Sequence, residues 1–131
     1  MAYSLKMNDS NLTGNIFDSW TIPIVMDRLT VKEIIQIRVK REVDKYNESG
    51  AQYFKGLVQP SEAVSTPNGY KLKEKKKIDS NEQIEKALKG FEQNSFLVLV
   101  NDSQMDSLDN EILLTENTEI SFVKLIPLVG G

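Results

Sequence analysis

The sequence of 131 residues contains no cysteine and no histidine. Without cysteine there is no disulfide, no thiolate metal ligand and no thiol nucleophile. Without histidine the Ser-His-Asp and Cys-His arrangements fall away, and with them most zinc sites. Catalysis by the chain's own side chains would have to use Asp, Glu, Lys, Tyr or Ser. An excess of basic charge is missing too: 16 Lys and Arg stand against 19 Asp and Glu, for a formal net charge of -3. A dedicated nucleic-acid binder is usually basic, so no nucleic-acid partner is expected. No stretch approaches the roughly 20 apolar residues that cross a bilayer, and "MAYSLKMNDSNLTGN" has no apolar core of signal-peptide length. The expectation is no membrane partner and a cytoplasmic location. The glycines at 14, 50, 56, 69 and 90 form neither G-x-G-x-x-G nor G-x-x-x-x-G-K-[ST]. The chain has no phosphate-cradling loop of its own, no cofactor of its own is expected, and ATP would have to be bound by another protein.

What is present is an ordinary globular composition, 40% hydrophobic and 27% charged, in a length suited to one domain with a real core. "YSLKM" alternates as a short strand before the turn-rich "NDSNLTGN". "IFDSWTIPIVM" reads as a second strand, and Pro23 makes it an edge strand or a bulged one. "TVKE" offers Thr30 as N-cap with Glu33 three residues on. Behind it Val31, Ile34, Ile35, Val39, Val43 and Tyr46 recur at helical spacing, with Gly50 as the stop. From Ala51 to Asp79 the signals are mixed, an insertion with a hairpin expected around Asn68-Gly69. Ser80 and Gln83 then suggest a second capping box, with Ile84, Leu88 and Phe91 on one face of a shorter helix. "SFLVLVN" has the pattern of a strand buried on both faces. "DSQMDSLDNEI" reads as a turn-rich link, "ILL" as a very short strand and "EISFVKLI" as the last one. The order predicts an α+β fold, a mixed sheet packed on a principal helix.

Three polar or aromatic features invite a function. Asp102, Asp106, Asp109 and Glu111 miss the register of a calcium loop, which leaves a solvated turn and no metal site. Lys71, Lys73, Lys75, Lys76 and Lys77 could steer an acidic partner, but such a run more often forms a solvated face. Trp20 reads as a packing residue before a recognition platform.

The stretch "SFVKLIPLVGG" points further. Pro127 cannot donate to a ladder and so helps release the chain from the sheet. Gly130 and Gly131 let backbone pass a channel too narrow for a side chain. A strand pair, a helix, a buried strand and a last strand running into "PLVGG" resemble the β-grasp proteins of the ubiquitin-like class. Within that class the chain is most similar to the sulfur carriers of molybdopterin and thiamine synthesis. The match is strongest over Ser95 to Gly131 and absent over the insertion, which the shorter carriers lack.

The resemblance implies a β-grasp domain over residues 1–126 and a diglycine tail over 127–131. It implies that an activating enzyme uses ATP to adenylate the Gly131 carboxylate, which then carries sulfur as a thiocarboxylate to an acceptor enzyme. The alternatives are a ubiquitin-like modifier conjugated through Gly131 to a target protein, and a β-grasp interaction module that is never activated. The chain is expected to be a substrate or carrier rather than an enzyme. Gly130 and Gly131 carry over as the reactive tail and Pro127, Leu128 and Val129 as docking residues. Phe122, Lys124 and Ile126 alternate on one face of the last strand as further docking candidates, with Ser121, Val123 and Leu125 on the core side.

Overall fold

The structure is a computed structural model that describes residues 3–49, 53–54, 57, 64–66, 69–71 and 78–125. In chain order the elements are β1 (Tyr3–Ser10), β2 (Ile16–Ile24), β3 (Arg28–Thr30), α1 (Val31–Ser49), β4 (Tyr53–Phe54), β5 (Val64–Thr66), β6 (Gly69–Lys71), α2 (Ser80–Glu92), β7 (Phe96–Val100), β8 (Ser103–Gln104), β9 (Glu111–Leu113) and β10 (Glu119–Lys124). The fold is α+β with a mixed sheet. Two compact units divide it, one made of Met1–Lys32 with Gly90–Gly131 and the other of Glu33–Lys89.

The first unit is built on a five-stranded sheet in the order β2-β1-β10-β7-β8. β1 and β2 pair antiparallel, and so do β10 and β7, while β1 and β10 run parallel at the centre. Period-two alternation sends Leu5 and Met7 of β1, Ile120 and Phe122 of β10, and Phe96 and Val98 of β7 into the core, all at most 5% exposed. β2 lies at the edge as Pro23 requires.

β1 continues three residues beyond the expected strand. Asn8, Asp9 and Ser10 were assigned by propensity to a turn, yet they pair with both β2 and β10. Polar partners across the strands outweigh the local preference, and the chain turns only at Asn11. There the Asn11 Oδ1 accepts from the Thr13 and Asn15 amides, both at 3.1 Å, and Gly14 adopts a φ of 86° that suits glycine.

β7 departs from the expected double burial. Phe96 and Val98 are buried, but Leu97, Leu99 and Val100 are only half-buried. The link after β7 also holds a hairpin that its polar composition hid. Val100 pairs with Ser103 across Asn101 and Asp102, whose φ values of 48° and 70° make a two-residue turn with both centres left-handed. A separate ribbon pairs β3 with β9 and buries Leu29 and Ile112. Its neighbours cap the start of α1, since the Val31 and Lys32 amides donate to the Asn110 and Leu108 carbonyls at 3.0 and 3.1 Å.

The second unit contains most of both helices and a small sheet in the order β4-β6-β5. The α1 stripe is buried as its spacing predicts, and the helix stops at Ser49. β5 and β6 form the hairpin expected in the insertion, with Thr66 opposite Gly69. Two contacts tie this region to α1. The Glu42 carboxylate accepts from the Leu57 amide at 3.0 Å, and the Asn47 side chain bonds Ile78 twice, accepting from its amide at 3.0 Å and donating to its carbonyl at 3.2 Å.

The cap of α2 is Asp79 rather than Ser80. Its Oδ1 accepts from the Asn81 amide at 3.0 Å, and its negative charge sits at the positive end of the helix dipole. The buried positions are Gln83, Ala87 and Phe91, with Ile84 and Leu88 half-buried. The far end closes with Asn94 at a φ of 61°. There Asn94 bonds back to Phe91 and Ser95 to Gly90, the paired bonds of a Schellman motif.

Candidate functional site

β10 ends in the middle of the sheet, where its last paired residues are Val123 opposite Ser10 and Leu97, and Lys124 opposite Phe96. Leu125 still donates to the Ser95 carbonyl at 3.4 Å. Near this end of β10 lie the Asn11 to Asn15 turn and the Asn94-Ser95 turn, each held by its own hydrogen bonds. Leu12, 66% exposed, stands on the first of them.

The register that delivers Lys124 to this point is set by a polar chain across three strands. On the sheet face opposite Leu5 and Met7, the Ser19 hydroxyl donates to Asn8 Oδ1 at 2.8 Å, and Asn8 Nδ2 donates to Glu119 Oε1 at 2.7 Å. Lys6 Nζ lies 3.8 Å from Glu119 Oε2. Asn8 is completely buried, so both halves of its amide need partners and both find them. Ser19 gives its proton to an amide oxygen, not to a base, so this chain orients strands and does not make a nucleophile.

A cleft of about 430 Å³ opens beside β7, lined among others by Lys32, Phe91, Phe96, Leu97, Met105 and Asp106. Phe91 and Phe96 meet in its wall with ring centroids 6.0 Å apart.

The candidates read from sequence separate sharply. Gly130, Gly131, Ile126, Pro127, Leu128 and Val129 lie outside the described residues. Phe122 is 1% exposed and belongs to the core, so its assignment to an outward docking face is corrected. The reason is its cross-strand partner: Phe122 pairs with buried Val98, which carries it to the core side along with Ile120. Lys124 is half-buried, Ser121 and Leu125 are half-buried rather than core, and Val123 is buried. Trp20 is half-buried on the edge strand. Asp102, Asp106, Asp109 and Glu111 are exposed, and Arg28 holds Glu111 at 3.1 Å. Lys71 belongs to β6, and the other four lysines of the run lie outside the described residues. Asn8, Ser19 and Glu119 were not singled out from sequence. Only their cross-strand register joins residues 11 and 111 positions apart.

No family model, curated protein or solved structure matches the chain.

Proposed function

We propose that the chain is a carrier of the β-grasp type whose Gly131 carboxylate is activated by an ATP-dependent enzyme. The observation that supports this most is the sheet order β2-β1-β10-β7-β8, with its parallel centre and with the described ladder of β10 ending at Lys124, shortly before "IPLVGG" in the sequence. A strand held on both sides gives the segment after it a fixed origin, and Gly130 and Gly131 remove the side chains that would block a narrow channel. The lack of cysteine and histidine suits a substrate whose acid-base work is done by its partner.

The chemistry follows in three steps. The Gly131 carboxylate attacks the α-phosphate of ATP and expels pyrophosphate, giving an acyl-adenylate. The terminal sulfur of a partner cysteine persulfide then attacks the acyl carbon and expels AMP, giving an acyl disulfide. A second partner thiol cleaves its S–S bond, forming a partner disulfide and releasing the thiocarboxylate for the acceptor enzyme. In the conjugation alternative a partner cysteine takes the acyl group and a target lysine amine receives it.

The test begins with the protein from its own cell, digested to identify a peptide whose last residue is Gly131. Incubation with ATP, the activating-type enzyme of that cell and sulfide as the sulfur source should then raise the intact mass by the difference between a sulfur and an oxygen atom. Larger adducts that vanish on deletion of Gly131 would identify the modifier instead. Neither product, with an active enzyme, would leave the unactivated interaction module.

A further inference from the structure

We propose that β2 is the dimerisation edge of this protein, pairing antiparallel with β2 of a second copy about a two-fold axis at Thr21. The inference is independent of the carrier reading. β2 pairs with β1 on one side and with no strand on the other among the described residues. At 9 residues it is the longest strand, whereas the opposite edge, β8, has 2. Such an edge presents unpaired amide and carbonyl groups to any strand that fits.

What fits is set by the residues along it. The ladder to β1 is regular from Asp18 to Ile24, with its bulge beyond Asp18. An axis at Thr21 sets Thr21 on its own copy and Trp20 opposite Ile22 twice, and both Thr–Thr and aromatic–β-branched pairs stabilise an antiparallel ladder. Trp20 and Ile22 share the face of their partners Met7 and Leu5, which are buried, yet both are only half-buried themselves because the sheet ends there. A two-fold axis normal to the sheet keeps the two core faces on one side, so these half-covered side chains meet.

The same axis brings Ile16 at one end of β2 beside Val25 and Met26 just past the other end of its copy. These three are 54%, 77% and 52% exposed. Charge does not oppose the pairing. Asp18 is the strand's only charged residue and falls opposite Ile24. Pro23 of each copy lacks a donor opposite Ser19, so two donors are lost while the central Thr21 rung is left whole. Each of these matches is made by β2 with itself, so a second copy is the occupant the residues favour.

Three measurements on the full chain test the proposal. Sedimentation equilibrium should give the mass of a dimer. Thr21→Lys, at an exposed position, should give a monomer with unchanged circular dichroism, because it sets two like charges face to face. Since the chain has no cysteine, Thr21→Cys should form a disulfide dimer on mild oxidation, while the control Ser103→Cys on β8 stays monomeric. A monomeric wild type at all concentrations, a Thr21→Lys chain that remains dimeric, or equal cross-linking at both edges would overturn the assignment, as would binding of a heterologous strand by a monomer.

Discussion

Asn8 is the residue on which the most depends for its size. It is a wholly buried amide in a parallel junction, and its three side-chain bonds, with Ser19, Glu119 and Ser121, tie β2, β1 and β10 together. A slip of one residue in β10 would turn Phe122 outward and Ser121 inward, so the amide specifies register as much as it adds stability. Asn8→Ala leaves the Glu119 carboxylate and the Ser19 hydroxyl without this partner. A loss of about 2–3 kcal/mol is expected from a bond to a charged group and a bond to a neutral one, read as a lower urea midpoint. A change under about 0.5 kcal/mol would show that solvent satisfies these groups as well as Asn8 does. The sequence could not announce this role. An Asn inside "KMNDSN" has the local preference of a turn, and the partners that overrule it are remote in the chain.

Among the elements, the two helices and β2 were legible because their signals are periodic or local. The α1 stripe needs only spacing, and Pro23 marks an edge through a missing donor. β3, β8 and the true cap of α2 were not legible. β3 is 3 residues long and β8 is 2, too short for alternation to register, and Asp79 and Ser80 are both good caps, so geometry decides between them. The register that aims β10 was the least legible part of the candidate site, and the diglycine tail proposed from sequence lies outside the described residues. In α1 the pair Arg38 and Glu42 adds a feature that periodicity misreads, because a charged residue interrupts the apolar face. Arg38 Nη1 lies 2.8 Å from Glu42 Oε1, with side chains 2% and 15% exposed. Removing the carboxylate takes one partner from a buried guanidinium, so Glu42→Ala should cost about 2–3 kcal/mol and loosen Leu57, whose amide it accepts. The double change Arg38→Met with Glu42→Leu should recover most of the loss. Thermal unfolding of the three chains checks both statements.

At the scale of the molecule, the α+β class and the mixed sheet follow from the order of elements. The division into two units was not foreseen, since the boundaries fall inside α1 and α2, where composition does not change. The sheet takes its last described backbone bond at Leu125, which separates folding from the proposed activity. Deleting residues 127–131 should shift stability by less than about 0.5 kcal/mol while abolishing activation. A large fall in the unfolding midpoint would show that the tail helps to hold the sheet.

The parallel junction of β1 with β10 has a consequence for the chain while it is being made. β1 leaves the ribosome more than a hundred residues before its inner neighbour β10. Until then the β1–β2 hairpin waits with one long edge open and its apolar face uncovered, the condition in which nascent strands find wrong partners. The sheet closes only once β10 has emerged, so the β1–β2 hairpin has to survive that wait without its central partner.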